Sequence, residues 1–179
     1  MELKRNELEK VMGRVVDDSK IINEIVNKIE ERYAKDLNDF MLKVEQLLKR
    51  ERELTDGELE EIVLKIPVFL YFAVQGLETL GVESDMAKAV KEEIAAEVFL
   101  KAEGTIPDKT KTAEMATQKE HIIAAAFARA YRKLKMLIDK AELLFSGASK
   151  IHQKRITELS IRAKEEFYSR RVGADGNKF

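Results

Sequence analysis

The chain has 179 residues, 36% of them charged and 45% apolar, with no Cys, no Trp, two Pro and eight Gly. A length of this order fits one domain, and the missing cysteines exclude a disulfide scaffold, a thiolate metal site and a cysteine nucleophile. The net charge of −1 conceals an asymmetry, because residues 1–128 hold 19 bases against 27 acids (net −8) while residues 129–171 hold twelve bases against five acids (net +7).

The N-terminal stretch Met1 to Lys10 is charged throughout and has no apolar h-region, so it does not read as a secretory signal. Residues 1–18 show no clear periodicity and read as an arm ending in Asp17-Asp18-Ser19, a helix N-cap cluster. From there Ile21, Ile22, Ile25, Val26, Ile29, Tyr33, Leu37, Phe40, Met41, Val44, Leu47 and Leu48 recur at spacings of three and four, which predicts an amphipathic helix of about 30 residues. Thr55-Asp56-Gly57-Glu58 is a capping box, in which hydroxyl and carboxylate satisfy each other's orphan amides, and it opens a second helix. Pro67 lacks the amide that a helix interior needs, so a kink or restart is expected there. Val68 to Val82 is the most apolar stretch and is expected to be buried on most sides, in the monomer core or in an oligomer. No uninterrupted run of about 18 apolar residues is present, so no membrane span is expected. Ser84 can cap a further helix that ends at Gly104-Thr105-Ile106-Pro107-Asp108, and Lys109 to Thr117 reads as an exposed loop or a frayed helix start. Thr117-Gln118-Lys119-Glu120 reads as a second capping box.

Beyond it, Ile123, Phe127, Ala130, Leu134, Leu137, Ala141, Leu144, Ala148 and Ile151 alternate steps of four and three, a heptad seam that marks an oligomerisation surface. A helix over about 118–168 would be roughly 75 Å long, against a diameter of about 40 Å for a compact domain of this length. Either Ser146-Gly147-Ala148-Ser149 bends it, or it projects and meets another chain. Residues 171–179 read as a flexible tail after a single helical domain over 19–170. The fold class is therefore all-α, built of long coiled-coil-like helices in an oligomeric assembly, with a cytoplasmic location.

No catalytic constellation is legible, so an enzyme is not expected, and neither a metal nor any other cofactor. The glycines are scattered rather than gathered in a phosphate loop. His121 and His152 stand 31 residues apart with no carboxylate or second His at metal-ligand helical spacing. The basic face carries more. With Leu134 at the centre of the apolar stripe, Arg129, Arg132, Lys140, Lys150 and Lys154 fall on the opposite side of the helix. Spaced cations on one ridge suit a phosphate backbone, while aromatic interleaving for base stacking is weak, since Tyr131 and Phe145 lie on the apolar side and only Phe167 and Tyr168 near the end are expected to be exposed.

The stretch Ile66-Pro67-Val68-Phe69-Leu70-Tyr71-Phe72, the polar loop Gly104 to Thr117, and the run from Tyr131-Arg132-Lys133-Leu134-Lys135 to Ile151-His152-Gln153-Lys154-Arg155 resemble, in layout, the small helical recombination-mediator proteins of tailed phages (the UvsY type). The resemblance spans roughly residues 60–165. It implies a ring of helical subunits that binds single-stranded DNA and loads a strand-exchange recombinase while displacing a single-strand-binding protein. One departure stands out: the family's basic cluster before the loop is replaced here by Glu92, Glu93 and Glu97. DNA would then fall to the ridge, or to Lys109 and Lys111 in the loop. The alternative is a phage-type structural or coiled-coil adaptor that acts through self-association. Docking of an amphipathic helix on anionic membrane is disfavoured by a Trp-free apolar stripe with regular heptad spacing.

Overall fold

The computed structural model describes residues 2–50 and 53–175. They form five helices and no strand: α1 (Glu2–Tyr33), α2 (Lys35–Leu48), α3 (Asp56–Lys101), α4 (Ile106–Ala116) and α5 (Gln118–Asp175). At 1.5 Å per residue, α3 is about 69 Å long and α5 about 87 Å. The chain is an all-α protein built on these two rods, which run antiparallel. Leu59 lies beside Ile151 and Arg155 near one end, Gly81 against Tyr131 midway, and Lys91 beside His121 near the other.

The rods approach closely because their facing positions are small. Ala126, Ala130, Ala141 and Ala148 of α5 are buried, Gly81 of α3 meets Tyr131 of α5, and Leu59, Ile62, Ile66, Leu80 and Leu134 fill the spaces between. Val26 and Ile29 of α1 and Leu37, Phe40 and Val44 of α2 complete one apolar core. Across α2 and α3 the Phe40 and Phe69 rings tilt together with centroids 5.4 Å apart.

Several sequence expectations change. The arm over 1–18 is helical from Glu2, as part of α1. The single helix expected over 19–48 is interrupted at Ala34, whose φ of −138° breaks the helical run and sets an elbow between α1 and α2. Thr55 caps α3 as read, accepting from the Glu58 amide while the Glu58 carboxylate accepts from the Thr55 amide. Neither Pro67 nor Ser84 starts a new helix, however, because α3 is continuous through both. Pro67 points outward to solvent, and buried Ile66, Ala73 and Leu80 hold the helix on either side of it.

Residues 106–116 are helix rather than loop. Thr105 and Asp108 form a capping box with Pro107 in the first turn, where the ring's missing amide costs nothing. Thr117 is the C-cap of α4 and forms no capping box with Glu120. Its hydroxyl donates back to the Ala113 carbonyl at 2.8 Å, sealing the end of α4, and leaves one Glu120 carboxylate oxygen buried and unpartnered. α5 passes through Gly147 unbroken, and helix extends through 171–175 of the expected tail, while 176–179 lie outside the described residues.

The heptad seam is also reassigned. Phe127, Ala130, Leu134, Leu137, Ala141, Leu144 and Ala148 pack into the chain's own core, whereas Ile123 and Ile151 at its two ends stay exposed. Periodicity gave the buried face correctly, but it is α3 and α1 that cover it. Conversely, Val68, Tyr71, Phe72, Val74 and Val82 of the apolar stretch are exposed. α3 holds an 18-residue window of mean hydropathy 1.4, long and apolar enough by composition to cross a bilayer. A count of uninterrupted apolar runs passes over that window. In this fold α3 instead lies along α5 for much of its length.

Candidate nucleic-acid interface

The positions 129, 132, 136, 140, 143, 147, 150 and 154 follow one another at steps of three and four along α5, so their side chains share one helix face. Leu134, Ile138 and Ala141 hold the other face in the core, which fixes the rotation of the rod and turns this row to solvent. Arg129, Arg132, Lys140, Lys150 and Lys154 are all exposed. They extend over about 38 Å of helix.

The row is little compensated, with Asp139 as the acid near its centre and Glu158 beside its end. Among the described residues no carboxylate stands within 4 Å of Arg129, Arg132, Lys140 or Lys150. The Arg132 Nε donates to the Ala128 carbonyl at 3.3 Å, which lays the guanidinium along the helix. Lys154 has a distant partner in Glu158 at 3.9 Å, a surface pair of small energetic weight.

Two neighbouring bases have different duties. Lys133 reaches Glu30 of α1. The Arg155 guanidinium donates to the Leu54 carbonyl and to Asp56, each at 2.7 Å, and so fastens the start of α3 to α5. Past Arg155 the rod leaves the bundle: every residue from Ile156 to Ser169 is exposed. Tyr168 falls on the same line as the ridge, and its ring meets that of Phe167 edge-on with centroids 6.0 Å apart.

Sequence reasoning missed the middle of this face. Met136 and Leu143 sit within the basic row and are 59% and 74% exposed, so the surface is a cationic rim around an apolar centre. The signal was present in the spacing but was hidden by attention to charge alone. Lys109 and Lys111 are not brought to the ridge. They stand on α4, a separate helix where the chain passes from α3 to α5, and Lys109 is half-buried.

The surface is convex. One groove of about 500 Å³ lies away from it, at the α1–α2 elbow beside Tyr33, Phe72 and Gly76, and another of about 450 Å³ touches its edge at Lys154, beside Leu54, Leu59 and Glu158. His121 is exposed and His152 half-buried, and no group of three or more His, Asp or Glu placed to hold a metal occurs among the described residues. A rod of spaced, unpaired cations can attract a polyanion along its length and has no means to enclose a small molecule. No protein-family model, curated protein or solved structure matches the chain.

Proposed function

We propose that the protein is a non-enzymatic accessory factor that binds single-stranded DNA along α5. The carrying observation is the exposed row Arg129, Arg132, Lys140, Lys150 and Lys154 with hardly any compensating carboxylates. Neutralising phosphates with such a row releases condensed counterions, which drives binding without sequence readout. Tyr168 and Phe167 at the free end offer faces on which unpaired bases can stack, which favours single strands over duplex. The layout resemblance adds the finer proposal that the bound strand is prepared for a recombinase against a competing single-strand-binding protein.

The second reading, a structural adaptor acting by self-association, draws on the exposed apolar residues of α3. Titration of a fluorescent oligonucleotide at low salt separates the two. Binding by the wild type that is weakened in Arg132→Glu/Lys150→Glu supports the first reading. A wild type that binds no oligonucleotide leaves the adaptor.

A further inference from the structure

α3 carries a row of large apolar side chains on the side away from α5, and nothing among the described residues covers it. Leu64, Val68, Tyr71, Val82, Met86 and Val90 are between 45% and 64% exposed, and with Gln75 and Thr79 they follow steps of three and four. This is a second heptad-like stripe, about 39 Å long, and an apolar surface of this extent marks an interaction site. Its flanks are acidic. Among the described residues Glu60, Glu78, Glu92 and Glu93 have no cation within 4 Å. Two copies of this face laid on each other would set acids against acids in either direction, so charge opposes a symmetric pair.

Among the described residues, a surface that fits is the outer face of α5. It has the same length, about 38 Å, an apolar centre at Met136 and Leu143, and the opposite charge. Each face lies on the far side of its helix from the α3–α5 contact, so one chain cannot bring its own two together.

We propose that the outer face of α3 is the docking site for the outer face of α5 from a second copy, stacking subunits head to tail. Such a heterologous contact repeats until it closes into a ring or grows as a filament. The docking uses the same cations as DNA, so a strand and the next subunit compete for α5, and strand binding opens the stack. Only this competition rests on the nucleic-acid reading; the docking stands without it.

Charge exchange tests the inference, with sedimentation velocity of the full chain at micromolar concentration as readout and circular dichroism as the check on folding. The wild type should be multimeric. Glu78→Lys/Glu92→Lys and Arg132→Glu/Lys150→Glu should each weaken association by about tenfold or more, and the four substitutions together should restore it, because opposite charges again meet. Oligonucleotide should dissociate the wild-type multimer. The α3 pair should bind oligonucleotide as the wild type does, and both variants carrying the α5 pair should bind it about tenfold or more weakly. A monomeric wild type, an α3 pair that assembles normally, or a combined variant that fails to reassemble overturns the docking. Restored assembly with no oligonucleotide binding by any form, wild type included, keeps the docking and removes the DNA reading alone.

Discussion

Tyr33 lies directly on the backbone of Gly76: a β-carbon placed there would stand 3.0 Å from Tyr33 Cβ and 3.2 Å from its carbonyl oxygen. The contact holds the α1–α2 elbow on α3. The Tyr33 hydroxyl seals it by donating to Glu83 at 2.9 Å, with the Arg32 guanidinium 3.7 Å from the same oxygen. A side chain at position 76 would require the Tyr33 backbone to give way by a few tenths of an ångström.

Gly76→Val should destabilise the fold by about 1–3 kcal/mol through overpacking against a rigid backbone neighbour. Gly147 is the contrast, since it is helical and a Cβ there would meet nothing within 4 Å. Gly147→Ala should stabilise by about 0.5–1 kcal/mol by removing glycine's backbone freedom from a helix interior. Urea midpoints at constant slope would report both. Loss of stability in Gly147→Ala would mean that α5 bends there after all.

What the sequence could and could not convey follows from the reach of each interaction. The Thr55 box was legible because capping is settled within four residues. The same pattern at Thr117 misled, because the preceding α4 offered its own free carbonyls to the hydroxyl. Pro67 was read as a kink or restart because local propensity opposes it, and the restart does not occur, since packing of Ile66 and Ala73 holds α3 continuous there. The seam from Phe127 to Ala148 was visible as a period of 3.5. A period states which face is buried and is silent on whether the cover is the same chain or another. The site was legible in its cations, and Met136 and Leu143 were marked only by falling at the same helical steps as those cations.

Glu61 predicts a pH dependence. Hydrogen bonds from Lys43 at 2.8 Å and Lys65 at 2.7 Å lower its pKa below the ordinary carboxylate value. The unfolded chain therefore takes up a proton at Glu61 before the native state does. The stabilisation is present in full above the unfolded value, near 4.5, and is lost as pH falls through the lowered native one. Glu61→Gln should thus lessen the fall in thermal midpoint between about pH 5 and pH 3 and lower the midpoint slightly at pH 7. An identical pH profile in both proteins would show that the α2–α3 pairing adds nothing.

Arg155 separates structural cations from binding ones. Removing its guanidinium leaves the Leu54 carbonyl without its donor and frees the start of α3 from α5. Arg155→Met, which retains the apolar stem, should cost about 1.5–3 kcal/mol, the range for hydrogen bonds to a charged group. It should leave oligonucleotide affinity within about twofold of wild type once folding is complete. A large loss of affinity in the folded variant would extend the binding face around the rod toward α3.

The salt dependence of binding tests the ridge most directly. Each phosphate neutralised on a single strand contributes about −0.7 to the slope of log K against log salt. Four or five contacts per subunit from Arg129, Arg132, Lys140, Lys150 and Lys154 therefore give a slope of about −3. Arg132→Glu/Lys150→Glu removes two contacts, so the slope should flatten by at least about 1.4, with helicity unchanged because both side chains face solvent. Arg155→Met should keep the wild-type slope. Since no side chain on this face is placed to read base edges, homopolymer and mixed-sequence strands should show the same slope. A wild-type slope that survives the double reversal would detach binding from α5 and move it to Lys109 and Lys111 on α4, where Lys109→Glu/Lys111→Glu would then abolish it.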